Sequence, residues 1–298
     1  MTDFLQYLLA GLSLGSIYAL ICLGFVVVYR ATGVVNFAQG GLVVLGAYLT
    51  YQLAAVWHVP FLAAMLVAAV VMAGMGLLIE RLVLRRMVGQ PVFASILITL
   101  GLLYVLEQLC TTLWGYDLVV LGDPWGVRTV TVAGVLVKIA DLWTLGASAL
   151  ALVGFFAMFR YSTIGVAMRA AASDAEAALA SGVSPQMVQG IAWAIAGVLA
   201  VLAGVFIASG SRGVDLTVSI VALRAFPAAI LGGLDSTEGA VLGGVTIGLA
   251  EVMSAAYITP NAPWLGANVH AVMPYLLMII VLLIRPYGLF GTAEVRRA

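Results

Sequence analysis

Charged residues are scarce in this sequence. Asp, Glu, Lys and Arg account for 9% of its 298 residues, against roughly 25% in soluble globular domains. That deficit excludes an ordinary soluble fold. The 13 basic and 13 acidic residues balance, so the sequence indicates neither a basic surface suited to nucleic acid nor an acidic tail.

Cysteine, histidine and lysine are also rare. Cys22 and Cys110 each lie in an apolar run, while His58 and His270 lack the spacing of metal ligands or of a His-Glu-x-x-His protease. The lone lysine, Lys138, is not part of a Gly-x-x-x-x-Gly-Lys-Ser/Thr phosphate loop. We therefore expect no metal, no cofactor and no ATPase site in this chain, and we expect it not to be an enzyme.

Apolar residues make up 64% of the sequence, and runs long enough to cross a bilayer follow one another along it. About 20 apolar residues span a hydrocarbon core about 30 Å thick. The predicted fold class is all-α, a polytopic transmembrane helical bundle in one domain, 1–298. The candidate spans lie near 5–28, 33–55, 60–80, 92–114, 142–159, 187–209, 217–233, 238–256 and 267–285.

Two stretches are rich in glycine and broken by polar residues, around 33–55 and 217–240. Either could be a discontinuous helix or a re-entrant segment, because irregular backbone at membrane depth is tolerated where protein or a watery cavity surrounds it. The number of spans is therefore eight or nine. The first apolar run follows Asp3 without a basic region, so we interpret it as a span and not as a cleaved signal.

The distribution of arginine and lysine predicts the orientation, because cytoplasmic loops carry the excess of positive charge. An outside N-terminus and an inside C-terminus leave only Arg128, Lys138 and Arg212 outside, with Arg224 inside a span. The residues then placed on the cytoplasmic side are Arg30, Arg81, Arg85, Arg86, Arg160, Arg169, Arg285, Arg296 and Arg297.

Two connecting loops are long enough to hold structure of their own. The outer loop, 115–141, contains a Thr-Val-Thr-Val run at 129–132 that could form a short strand. The inner loop, 160–186, contains a run of alanines that favours helix. A third, shorter segment, 235–238, is predicted to lie on the inner side, where Asp235 could cap the next helix.

The inner loop has the start and stop signals of a short surface helix, Asp174 to Ser181. Ser173 and Glu176 have the spacing of a capping box, in which each side chain bonds the other residue's backbone amide. Gly182 then supplies a left-handed residue after the helix, and Pro185 prevents its continuation. The helix could be a simple connector or a contact for a partner protein.

Three blocks resemble a known family in the same order along the chain. They run from Gly15 to Gly40, from Arg169 to Gly182 and from Arg224 to Gly244. Together they are similar to branched-chain amino acid ABC transporter permeases of the LivH type, and the resemblance covers nearly the whole chain. An ion-coupled transporter or channel remains the alternative, although the chain of intramembrane acids expected of one is sparse here.

The resemblance implies a multi-pass protein of the bacterial inner membrane that works in an assembly. Its partners would be a second permease of the LivM type, two cytoplasmic ATPase subunits and a periplasmic binding protein. The solute implied is a branched-chain amino acid, while urea, short amides and aromatic acids remain open. The residues implied to contact the ATPases lie in the inner loop: Arg169, Ser173, Asp174, Glu176 and Gly182.

Four residues are candidates for the translocation path: Asn36, Gln39, Gly40 and Glu251. Polar side chains inside apolar spans are costly unless they have partners, and they often mark a solute path. They could equally bond neighbouring helices. For Glu251, a pairing with Arg224 or Gln108 is the structural alternative.

Overall fold

The computed structural model describes residues 2–292 apart from 88, 133, 211 and 267, so Arg296 and Arg297 lie outside the described residues. The described chain is a bundle of helices with one short hairpin. Its long helices are α1 Thr2–Thr32, α2 Gln39–Tyr51, α3 Phe61–Leu82, α4 Val92–Trp114, α5 Ile139–Tyr161, α8 Pro185–Ala208 and α11 Thr237–Met253. The shorter ones are α6 Thr163–Ser173, α7 Ala175–Ala180, α9 Thr217–Leu223, α10 Ala225–Gly232, α12 Thr259–Asn261 and α13 Val269–Ile284.

The helices coincide with the nine predicted segments. Seven helical stretches among the described residues are long and apolar enough to cross a membrane, and 217–232 and 269–284 are shorter apolar helices. Both segments predicted to be irregular differ from simple spans. Helix α2 begins only at Gln39, after a non-helical stretch, and continues into a π-helical turn at Gln52–Val56.

The segment 217–232 is divided at Arg224. This residue lies between the two helices, as the C-cap of α9 and the N-cap of α10, and its backbone N–H is shared between the carbonyls of Ile220 and Val221. Helix α11 likewise ends in a π-helical turn, Ser254–Ile258. Such irregular turns inside helices occur frequently at functional sites.

Helix α1 forms the centre of the bundle. From Gly15 to Val28 every residue is buried, which is the pattern of a helix surrounded by protein on all sides. Its closest neighbour is α11, because small residues let the two backbones approach: a Cβ added to Gly15 would lie 2.8 Å from the Cα of Val245. Helices α8, α5 and α10 complete the surroundings of α1.

A β-hairpin marks one end of the bundle, which we call the hairpin end. Strand β1, Thr129–Val132, pairs antiparallel with β2, Val135–Lys138, in the register Thr129 opposite Lys138. The strand expected at 129–132 is therefore confirmed. The same loop is joined to the α8–α9 connection by a bridge between Val119 and Val214.

The inner loop lies at the opposite end of the bundle, which we call the α7 end. The predicted capping box at Ser173 is wrong. Ser173 is the last residue of α6, and its hydroxyl donates to the carbonyl of Ala170. The cap of α7 is Asp174, whose extended backbone lets its carboxylate accept from the amides of Glu176 and Ala177, at 3.0 and 2.9 Å.

The neighbouring segment 235–238 also has a different cap from the predicted one. Ser236 caps α11 by accepting from the amide of Gly239 at 3.0 Å. Asp235 instead accepts from the backbone N–H of Thr292 at 2.8 Å, and so ties the tail of the described chain to the α10–α11 turn.

Candidate functional site

The first candidate residues, Asn36 and Gln39, lie where the non-helical stretch enters α2. Both side chains are fully buried. The Asn36 side-chain amide donates to Oε1 of Gln39 at 3.3 Å, and Nε2 of Gln39 donates to the backbone carbonyl of Ala196 on α8 at 3.4 Å. The structure thus contains the interhelical hydrogen bond that a packing role requires, while the path assignment stays a prediction.

One atom of this pair is left without a partner. Among the described residues, the side-chain oxygen of Asn36 is buried and accepts no hydrogen bond. Buried polar atoms are rarely unsatisfied, because their desolvation costs about 1–3 kcal/mol. Asn36 is therefore the member of the pair with spare capacity to bond a polar group.

Gly40 lies at the first turn of α2 and faces α9. A Cβ added there would lie 3.1 Å from the carbonyl oxygen of Ser219 and 3.2 Å from the side chain of Leu223. The glycine therefore lets the start of α2 pack closely on the divided helix. Like Asn36 and Gln39, it is buried inside this subunit.

Glu251 belongs to a three-residue polar cluster inside the bundle. It lies 14 residues after Thr237, which is about 21 Å along α11 at 1.5 Å per residue. The Tyr18 hydroxyl donates to its carboxylate at 2.7 Å, and the Arg224 guanidinium approaches it at 3.4 Å. The pairing with Arg224 considered from sequence is the one that the structure shows.

This cluster connects the three central elements of the membrane domain. Tyr18 comes from α1, Glu251 from α11, and Arg224 from the division between α9 and α10. The side chain of Arg224 is 30% exposed and that of Glu251 only 7%. Charged groups at membrane depth are stabilised when paired and usually face protein or a watery cavity. Sequence reasoning assigned no role to Tyr18, because a tyrosine in a span gives no signal of its partner.

Helix α6 is held firmly against the bundle at the α7 end. The Arg169 guanidinium donates to the carbonyl of Phe159 at the end of α5 and lies 5.4 Å from the centre of its ring. Arg30, in the last turn of α1, lies over the same ring at 5.4 Å. Arg169 therefore positions α6, since cations near a helix C-terminus satisfy its free carbonyls.

Helix α7, in contrast, is largely exposed. Glu176 is exposed, and the side chain of Leu179 is 59% exposed. The helix ends in a complete Schellman motif, in which Gly182 N–H donates to Leu179 O and Val183 N–H to Ala178 O. Gly182 has a φ of +85°, so the left-handed conformation predicted for it is confirmed.

Helix α1 also contains a five-residue pattern that is known from enzymes. Gly11 to Gly15 reads Gly-Leu-Ser-Leu-Gly, which matches the Gly-x-Ser-x-Gly pattern of serine hydrolases. That motif needs a strand-to-helix turn, whereas Ser13 lies within a continuous helix. Its hydroxyl donates to Asp141 on α5 at 3.0 Å. The geometry therefore does not support a nucleophilic role for Ser13.

Comparison with known proteins identifies relatives along the whole chain. Residues 7–282 match the family described as branched-chain amino acid transport system, permease component. The LivH permease of the high-affinity branched-chain amino acid transport system of Escherichia coli K12 is 30% identical over 309 aligned residues, covering 99% of this chain and 97% of LivH. BraD of Pseudomonas aeruginosa, with the same description, is 28% identical, covering 99% and 98%.

A more distant relative and a solved structure agree with this result. The probable branched-chain amino acid transport permease LivH of Methanocaldococcus jannaschii is 27% identical, covering 93% of this chain and 89% of the relative. Among solved structures, PsaBC from Streptococcus pneumoniae in complex with Fab has a TM-score of 0.50 at 14% identity, covering 97% of this chain and 94% of that one. At that identity the likeness concerns the fold alone.

The fold defines a multi-pass helical membrane protein in which Glu251 and Arg224 form an ion pair inside the bundle. The chain belongs to the family of permease components of branched-chain amino acid transport systems. It is a permease subunit of the LivH type in an ABC importer. These relatives do not favour an ion-coupled transporter or a channel.

Proposed function

We propose that this chain forms part of the path by which branched-chain amino acids are imported across the bacterial inner membrane. The observation that carries this proposal is the 30% identity to LivH over 99% of the chain. A second permease of the LivM type would complete the membrane part, two cytoplasmic ATPases would drive it, and a periplasmic binding protein would deliver the solute. The chain contains no phosphate loop for ATP hydrolysis of its own.

Reconstituted transport tests this function. The chain is co-purified with its genomic partner permease, ATPases and binding protein, and leucine, isoleucine and valine uptake into liposomes is followed. We expect uptake that requires ATP inside, the binding protein outside and this chain in the membrane. Urea, short amides and aromatic acids serve as competing solutes. Uptake driven by an ion gradient without ATPases would contradict the proposal.

The proposed orientation places the α7 end in the cytoplasm and the hairpin end outside. The excess of arginine at the α7 end supports this, since Arg85 and Arg86 follow α3 there and Arg160 ends α5. Helix α7 would then project toward the ATPases. Its exposed Leu179 and Glu176 offer an apolar and an acidic contact on a helix that the Asp174 cap and Gly182 fix at both ends.

The proposed path runs beside the divided helix. Asn36, Gln39 and Gly40 pack against α8 and α9, and Glu251 is paired with Arg224 at the division. All four are buried within this subunit in the present conformation. Their proposed contribution to the path therefore requires α9 and α10 to move relative to α2 during the transport cycle.

Asn36→Leu is the sharpest test of the path assignment. Asn36 makes one long hydrogen bond, and its oxygen has no partner among the described residues. The change removes an oxygen that is already unsatisfied but leaves Oε1 of Gln39 without its donor, so we expect a cost to the fold of about 1–3 kcal/mol. We expect uptake to fall while the complex assembles and basal ATP hydrolysis persists. Loss of the folded complex would instead support a packing role.

A further inference from the structure

A cavity of about 290 Å³ opens at the hairpin end. It is enclosed by the outer part of α1, the hairpin, the start of α5, the end of α8 and one residue of α11, Val252. Its volume is close to the lower limit of about 300–1,000 Å³ for small-molecule pockets. The cavity is separate from the candidate path residues Asn36, Gln39 and Gly40, none of which lines it.

Charges of both signs line this cavity. Lys138 is the last residue of the hairpin, Asp141 lies in the first turn of α5, and Arg212 follows α8. In the part of the chain that the structure describes, these three side chains make no ion pair within 4.0 Å, and Lys138 and Arg212 make no side-chain hydrogen bond. Two cations and an anion thus face one small volume without neutralising one another.

The wall that carries these charges is held in place by hydrogen bonds. Asp141 accepts from Ser13 on α1 at 3.0 Å, which fixes one of its oxygens, while the other accepts no side-chain hydrogen bond from the described residues. Asp123 accepts from the backbone N–H groups of Gly126 and Gly210, at 2.9 and 3.4 Å. Both glycines line the cavity, so this carboxylate joins the loop that precedes the hairpin to the end of α8.

The buried lining of the cavity is partly polar, with Ser13, Thr144 and Ser209, and partly apolar. The apolar part includes Leu14 and Ile17 from α1, Phe206 from α8 and Val252 from α11. Ile17 and Phe206 are almost fully buried, so their positions are set by the core of the bundle. A ligand that fits these surfaces carries an ammonium group, an anionic group and a short apolar portion.

We propose that this cavity binds a free amino acid with an aliphatic side chain. Asp141 binds its ammonium group, and Arg212 and Lys138 bind its carboxylate. The apolar part of the lining packs against its side chain. This assignment rests on the proposed transport function and adds a binding site within this subunit. The site would hold the solute between its release from the binding protein and its entry into the path.

Direct binding to the assembled complex tests the site. The complete transporter in nanodiscs, without binding protein, is titrated with radiolabelled leucine by equilibrium dialysis. We expect Arg212→Gln and Asp141→Asn each to weaken binding about tenfold or more, since each removes one charge-assisted contact. The matched control is Arg128→Gln, because Arg128 belongs to the outer loop 115–141, as Asp141 does, but does not line the cavity.

Ligand analogues separate a direct contact from a general structural effect. Leucinol lacks the carboxylate, so Arg212→Gln should not weaken its binding further. 4-Methylpentanoate lacks the ammonium group, so Asp141→Asn should leave its affinity unchanged or higher. Equal losses for leucine and both analogues in both variants would show a merely structural role and overturn the assignment.

A phospholipid headgroup with an ammonium and a phosphate presents similar charges, and the membrane composition distinguishes it. Nanodiscs of phosphatidylcholine alone are compared with nanodiscs containing phosphatidylethanolamine. We expect leucine binding in both. Leucine binding that disappears when phosphatidylethanolamine is present, or that occurs in neither membrane, would refute the amino-acid site. Binding-protein-dependent uptake that persists in that case would leave the proposed function intact.

Discussion

Replacing Gly182 by valine tests whether α7 transmits force from the ATPases. Gly182 has a φ of +85°, and nothing within 4 Å would contact an added Cβ. The cost is therefore one of backbone conformation and not of collision, about 1–2 kcal/mol for a non-glycine residue in the left-handed region. The Schellman hydrogen bonds at the end of α7 depend on this conformation.

The expected effect follows from that magnitude. Suppose that α7 docks on the ATPases only while residue 182 keeps its left-handed backbone. A strain of about 1–2 kcal/mol then lowers the population of docked α7 by a factor of about 5–30. The bundle itself should still insert, because α7 is largely exposed and contributes little to the core. We expect normal membrane levels, reduced co-purification of the ATPases and reduced ligand-stimulated ATP hydrolysis.

Two variants control this experiment. Gly134→Val imposes a similar strain in the hairpin loop, at a φ of +81° with no neighbour within 4 Å, but at the opposite end of the molecule. It should leave ATPase association unchanged. Gly182→Asn should restore part of the coupling, because asparagine tolerates the left-handed region. Full transport and normal ATPase association in Gly182→Val would show that α7 is only a connector, and coupling would then be sought at 235–238.

Three further predictions concern the chain as a whole. The purified subunit should hydrolyse no ATP, because it lacks a phosphate loop; turnover that survives removal of contaminating ATPases would contradict this. A periplasm-specific reporter should be silent when fused after Ala298 and active when inserted near Gly126, and the reverse pattern would invert the topology. Gly15→Leu should prevent stable assembly, because its Cβ alone would lie 2.8 Å from Val245 Cα; a normal yield of complex would refute the close α1–α11 packing.

The spans could be predicted from sequence because they depend on a property of each segment alone. A run of apolar residues predicts a membrane helix wherever its neighbours lie, and 92–114 was predicted with the observed bounds. The discontinuity at 217–240 was also indicated by its glycines and polar residues. The left-handed conformation of Gly182 after α7 was also predictable, because a glycine after a short helix indicates a left-handed residue.

The cap of α7 was less predictable because two adjacent residues could both serve. Ser173 fits the spacing of a capping box, and Asp174 is an equally good cap. The choice is made by α6, which continues through Ser173 and gives this residue a helical backbone. Because α6 is held to α5 by Arg169 and Phe159, its length is set by tertiary contacts that local spacing does not contain.

The polar groups inside the membrane show the same limit at longer range. The sequence identified Glu251 as an intramembrane acid and offered Arg224, 27 residues away, as one of two partners, but it gave no sign of Tyr18, which lies 233 residues away. The cavity at the hairpin end likewise combines Asp141 and Arg212, which only the packing of α1, α5 and α8 brings together. Individual charges and apolar residues can be read from a sequence, whereas the partner that each one meets depends on which helices lie side by side. The charge pattern of the cavity therefore became a testable property only once the helices had been placed.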